Sequence, residues 1–224
     1  MRKLTLVAVV SASLLAAPAL TAAQAGTDLP PQAGGGRSDD PLSVPDPGTL
    51  CEGQVFEQPF LALNDHRSYA LAPNGSFESG LDGWIVSDGV RVRAHQNSLR
   101  PDPGNFALFM PPASAAVSPP ICATPDYPAA RLYGQTIVPG RSAASLRVQV
   151  VYPPAEEGGE PKAKPAGTLR RERTWDETRK FGLSPGQIAK AAGEDGTTMI
   201  RLRFTTRKGA SWLLDDVFVD PRAR

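Results

Sequence analysis

Asn74-Gly75-Ser76-Phe77-Glu78-Ser79-Gly80-Leu81-Asp82-Gly83-Trp84 and Trp212-Leu213-Leu214-Asp215-Asp216-Val217-Phe218-Val219 decide the fold of this 224-residue chain. In the first segment, Asn74-Gly75 is a strong tight-turn signal, because both residue types accept positive φ. It follows Tyr69 to Leu71, which reads as a strand. The second segment is rich in β-branched and aromatic residues and reads as the last strand, ended by Pro221.

Between these segments, short β-rich runs alternate with Gly, Pro, Asn and Asp clusters, the spacing of an all-β sandwich or barrel. In Ser145 to Tyr152, Leu146, Val148 and Val150 share one face. In Met199 to Thr205, Ile200, Leu202 and Phe204 do so, while Arg201 and Arg203 alternate with them and are expected to point away. Period two with one apolar face indicates antiparallel sheets over a core. Trp84 to Val86 and Val90 to Ala94 read as a hairpin around Ser87-Asp88-Gly89. Phe106 to Met110 and Ala113 to Ser118 follow, with Arg131 to Val138 and Thr174 to Phe181 as weaker strands. Glu156 to Pro165 reads as a long exposed loop. One short helix is expected, with Ser184 as N-cap, Pro185 at the first helical position, Gln187 three residues after the cap and Gly193 as the stop.

The first 25 residues read as a signal peptide. Arg2 and Lys3 precede an uncharged apolar run, Leu4 to Leu20, and Ala23-Gln24-Ala25 is a small-x-small cleavage site, so cleavage is expected near Ala25. Residues 26–50, rich in Pro, Gly and Asp, read as a disordered lead. Residues 51–224 read as one folded domain. No later segment is apolar enough to span a bilayer. Removing Arg2 and Lys3 lowers the 24 basic residues to 22 against 23 acidic ones, a near-neutral balance that gives no reason to expect nucleic acid. The expectation is a secreted, extracellular monomer. The two cysteines, Cys51 and Cys122, form an even count in an exported chain, which suggests a disulfide; two free thiols or a metal pair are the alternatives.

No catalytic constellation emerges. There is no Gly-x-Ser-x-Gly elbow and no His-Glu-x-x-His, and the two histidines, His66 and His95, sit in polar surroundings without a partner motif. Asp215 and Asp216 are adjacent in a strand, so regular alternation would send them to opposite faces, unable to flank one bond. The chain is therefore read as non-catalytic. Trp84, Trp175 and Trp212 are read as core, which leaves Tyr127, Tyr133 and Tyr152 as platforms on which a sugar ring could stack. Arg91, Arg93, Arg147, Arg201 and Arg203 would form a basic face if their strands were neighbours. Such a face suits an acidic glycan or a cell-wall polymer through bidentate contacts. The other reading is the ordinary charged exterior of a sandwich.

The opening Asn-Gly-Ser-Phe-Glu segment and the closing Asp215-Asp216-Val217-Phe218-Val219 together resemble the first and last strands of galactose-binding-like jelly rolls, the fold of many carbohydrate-binding modules. The likeness runs from about Leu71 to Pro221. Cys51-Glu52-Gly53-Gln54, Ser118-Pro119-Pro120-Ile121-Cys122 and the ending from Trp212 to Pro221 are similar to a group of secreted bacterial proteins. The resemblance implies an all-β jelly-roll β-sandwich with one short connecting helix. It also implies a structural calcium where the first and last strands meet, held by Glu78 with Asp215 or Asp216. For function it implies carbohydrate or cell-surface polymer binding, with Tyr133, Tyr152, Arg147, Arg201 and Arg203 as ligand-contact candidates. The alternative is a structural or adhesion module with a protein partner.

Overall fold

A computed structural model describes residues 54–61, 64–95, 104–126, 129–137, 145–154, 158–170, 176–177, 181–207 and 209–222. The signal peptide, the lead, Cys51, Tyr127 and Trp175 lie outside the described residues. All described residues fall in one compact unit.

Two antiparallel sheets form a β-sandwich of jelly-roll type. One sheet contains β1 (Phe56–Glu57), β2 (Ser68–Leu71), β4 (Arg91–Ala94), β5 (Phe106–Met110), β8 (Ala129–Thr136), β11 (Asp176–Glu177), β12 (Phe181–Gly182) and β14 (Trp212–Arg222). We call it the front sheet. The back sheet contains β3 (Ile85–Val86), β6 (Ala115–Val117), β7 (Ile121–Ala123), β9 (Ser145–Tyr152), β10 (Lys162–Arg170) and β13 (Thr198–Thr206). Helix α1 (Pro185–Ala191) connects β12 to β13.

The two diagnostic segments meet through their backbones. The Ala72 amide donates to the Val217 carbonyl at 2.8 Å, and the Val217 amide donates to the Gly75 carbonyl at 3.1 Å. A Cβ on Gly75 would sit 2.9 Å from both the Ala72 and Val217 carbonyl oxygens, so only glycine fits there. Asn74 takes φ of 48° and organises the rest of its segment. Its side-chain amide donates to the carbonyls of Gly80 and Asp82 and accepts from the Ser79 amide. Its own carbonyl accepts from the Trp84 indole at 3.1 Å. That bond satisfies the polar tip of a ring that otherwise packs on Phe77 and Phe204 in the core. Trp84 and Trp212 are core residues, as expected.

The core between the sheets follows the alternation read from sequence. Leu146, Val148 and Val150 of β9 meet Ile200, Leu202 and Phe204 of β13 in one buried cluster with Leu132, Trp212, Leu214 and Val219. Helix α1 starts after Ser184, with Pro185 in its first turn. Ser184 does not cap through its hydroxyl, and its amide instead donates to the Tyr152 hydroxyl at 3.0 Å. Ile188 is the one α1 side chain sunk in the core.

Three expectations are corrected. Residues 84–94 are not a hairpin: β3 pairs with β6 in the back sheet and β4 with β5 in the front sheet, so the Ser87-Asp88-Gly89 turn carries the chain across the sandwich. Part of the loop expected over 156–165 is strand, because β10 begins at Lys162 and pairs with β9. Pro165 is tolerated because β10 is an edge strand and the register shifts between Pro165 and Gly167. Third, β14 is not regular at its acidic pair. Asp215 pairs with Tyr133 and Phe218 with Arg131, so three residues of β14 span two of β8. Asp216, with φ of 48°, sits in this bulge and breaks the simple alternation expected of Asp215 and Asp216.

Candidate functional site

The outer face of the front sheet is built by residues at period two. On β14 they are Leu213 and Phe218, on β8 Tyr133 and Gln135, on β5 Ala107 and Phe109, and on β4 Arg91 and Arg93. His95, two residues beyond Arg93, continues this alternation just past the end of β4. This face is divided into a covered half and an open half.

The covered half lies beneath the segment that leads into β2. Phe60, fully buried, packs edge-on against Tyr69 at 5.0 Å and Phe218 at 5.5 Å, and tilted against Tyr133 at 5.6 Å between ring centroids. The Arg131 guanidinium lies 4.1 Å above the Phe60 ring. Arg131 also donates to the Asp65 carboxylate at 2.7 Å, and the Tyr69 hydroxyl donates to the same oxygen at 2.7 Å. A buried ion pair and an aromatic cluster thus strap residues 54–61 and 64–67 across the sheet.

Burial, then the hydrogen bond to Asp65, push the Tyr69 hydroxyl well above its ordinary value, and burial raises Tyr152. The folded state therefore holds these phenol protons more tightly than the unfolded chain does. That contribution to stability is complete below the unfolded tyrosine value of about 10 and is lost as pH rises through the folded values. Melting temperatures are expected to fall as pH rises above about 10. Tyr69→Phe should shallow that fall, and an unchanged slope would show that the phenol does not contribute to it.

The open half is a cavity of about 600 Å³. Arg93, Ala94 and His95 form one wall, Gln135, Thr136 and Ile137 the other, and Leu213 lies between them. Phe109 stands next to Leu213 in the ladder and carries two guanidiniums, Arg91 at 4.4 Å and Arg93 at 5.0 Å from the ring centroid. Arg91 is held further by donating to the Gly89 carbonyl at 3.1 Å. Among the described residues, those lining the cavity include an arginine and a histidine and no carboxylate.

Of the ligand-contact candidates Tyr133, Tyr152, Arg147, Arg201 and Arg203, none lines this cavity, whereas Arg93 of the expected basic face does. Tyr133 shares the sheet face but is buried against Phe60. Tyr152 points into the main core. Arg201 is not an outward cation: it is 6 % exposed and donates to the Ser118 carbonyl at 3.0 Å. Arg147 and Arg203 are exposed on the back sheet, whereas Arg91 and Arg93 are on the front sheet, so the five arginines do not form one face. Sequence reasoning missed His95, Gln135, Ile137 and Leu213. The signal was available in the alternation, since His95 continues Arg91 and Arg93, and Gln135 continues Tyr133 along their strands.

The acidic residues expected to hold calcium, Glu78, Asp215 and Asp216, each take part in hydrogen bonds within the fold. Glu78 Oε1 accepts from the Asn105 and Phe106 amides at 2.8 and 3.0 Å, tying its segment to the start of β5. Asp215 accepts from the Asp216 amide at 2.8 Å, and both aspartates are buried in the bulge. Among the described residues no group of three or more His, Cys, Asp or Glu side chains could hold a metal ion. His66 is exposed, with its ring against the Asn64 side chain at 3.1 Å. Cys122 is buried on β7 and its expected partner, Cys51, lies outside the described residues.

No protein-family model matches the chain, and no curated protein matches it. Among solved structures, it is similar to carbohydrate-binding modules. A family 16 carbohydrate-binding module is 15 % identical, covers 66 % of this chain and 98 % of its own, and superposes with a TM-score of 0.41. The CBM22-1 xylan-binding domain of Paenibacillus barcinonensis Xyn10C is 16 % identical over 67 % of this chain and 94 % of its own, with a TM-score of 0.45. TmCBM61, solved with β-1,4-galactotriose, is 17 % identical over 66 % and 96 %, with a TM-score of 0.38.

Proposed function

We propose that this domain is a non-catalytic binding module whose open front-sheet cavity takes a carbohydrate chain or cell-surface polymer. The observation that carries the reading is the pairing of apolar and polar surface in one cavity. Ile137, with the nearly buried Leu213 behind it, offers apolar contact to the C–H face of a sugar ring, while Arg93, His95 and Gln135 offer hydrogen bonds to hydroxyls or carboxylates. The stacking of Arg91 and Arg93 on Phe109 lowers the entropy cost of fixing two long side chains. With Arg93 and His95 and no carboxylate among the described lining residues, a glycan bearing acidic groups suits the site better than a basic ligand.

The same reading makes the protein exported, with its leader removed near Ala25 and Cys51 joined to Cys122. Intact mass of the exported protein before and after reduction reads both features. Binding is tested by retention on neutral and uronate-bearing polysaccharides and on cell-wall preparations. The expected result is retention that soluble glycan competes away and that weakens with salt, as charge-assisted contacts do. Retention on none of these materials would overturn the glycan reading and favour a protein partner.

A further inference from the structure

A second cavity, of about 250 Å³, opens where α1 covers the edge of the back sheet. Lys162 and Lys164 of β10 line it, with Gln187 and Lys190 of α1 and the Tyr152 ring. Lys162 pairs with Tyr152 and Lys164 with Val150, both of which are core residues. The two lysines therefore stand on the inner face of their strand, at the edge where the core runs out. Gln187 and Lys190 are three apart on α1 and share a face.

Three lysines thus line one small cavity. Among the described residues lining it there is no carboxylate, and none of the three lysines has an ion-pair or hydrogen-bond partner. Tyr152 is 3 % exposed, and its hydroxyl accepts from the Ser184 amide, which leaves its own proton to donate. Inward-pointing charge on an edge strand guards against edge-to-edge association, and two lysines would serve that purpose. That role does not explain a third cation brought from the helix, nor a buried hydroxyl donor beside them.

We propose that this pocket is a site for a tetrahedral oxyanion, phosphate or sulfate, gripped by Lys162, Lys164 and Lys190 with Tyr152 and Gln187 as neutral donors. Lysine supplies compact point charges with rotatable donors, a recurring way of binding phosphate. The volume accommodates such a group with its waters rather than a length of polymer. The site is on the back sheet and stands independently of the glycan reading.

The test compares wild type with Lys162→Gln/Lys164→Gln and with Tyr152→Phe, using inorganic phosphate against chloride at matched ionic strength. In chloride at low salt the double variant should melt no lower than wild type, because it relieves like-charge repulsion. Millimolar phosphate should raise the wild-type Tm by roughly 2–5 °C, through preferential binding to the folded state. The rise should vanish in the double variant and shrink in Tyr152→Phe. An equal response in wild type and the double variant, including no response in either, would overturn the proposal. A dextran sulfate column separates the sources. Retention that phosphate competes away and the double variant loses assigns the group to a polymer. Retention unchanged in the variant, beside a lost phosphate response, assigns the site to the free ion.

Discussion

Phe60→Ala is expected to destabilise the domain by about 3–5 kcal/mol, the range for deleting a fully buried aromatic ring. Phe60 has no exposed surface and contacts three aromatic rings and a guanidinium at once. The loss therefore combines buried apolar area, edge-to-face pair energies of about 0.5–1.5 kcal/mol each, and the cation–π contact. The vacated space is walled by Tyr69, Tyr133 and Phe218, which are held in strands and cannot collapse freely into it. Denaturant unfolding measures the effect. A cost below about 1 kcal/mol would show that residues 54–61 and 64–67 only rest on the sheet. The variant carries a second consequence. Uncovering Tyr133 would expose aromatic rings on the outer face of the front sheet, so a folded Phe60→Ala protein should bind an apolar dye that the wild type excludes.

Asp65→Ala should cost about 3 kcal/mol, toward the lower end of the range for breaking a buried ion pair. The Asp65 carboxylate is 8 % exposed and accepts from Arg131 and Tyr69, with the Arg67 amide at 3.3 Å. Its removal leaves a positive charge at the sheet surface beneath the strap and takes the acceptor from a buried phenol. The penalty is thus mostly the stranded partners rather than the strength of the pair. Asp65→Asn, which keeps an acceptor oxygen but no charge, should fall between. A double variant, Asp65→Ala/Arg131→Met, should recover much of the loss. If the two single losses simply add in the double variant, the pair is not coupled and the strap is held by Phe60 alone.

Much of the sandwich was legible because its determinants are local. The alternation in 145–152 and 199–205 depends only on period two, and the start of α1 is written in Ser184-Pro185. The Asn74 turn and the Trp212 strand dock as their order in the chain suggested. What failed depends on the second sheet. A turn such as Ser87-Asp88-Gly89 can close a hairpin or cross a sandwich, and local sequence does not distinguish them. Arg201 alternates correctly, yet Ser118 lies beside it and takes its charge into a hydrogen bond. Tyr133 was placed on the right strand, but its concealment comes from Phe60, 73 positions earlier in the chain. The cavity was missed for the same reason, because its walls come from strands β4, β8 and β14, which tertiary pairing alone makes neighbours.

The most direct measurement compares wild type with Arg93→Ala and Gln135→Ala in retention on the same acidic polysaccharide, with melting temperature as the control for folding. Both residues line the open cavity and neither is part of the main core. Arg93→Ala is expected to leave melting unchanged and to lose roughly tenfold to hundredfold in affinity, the equivalent of one charge-assisted hydrogen-bonding group. A smaller loss is expected for Gln135→Ala. Full retention by both variants, on a polysaccharide that wild type binds, would contradict the assignment of the front-sheet cavity as the binding site.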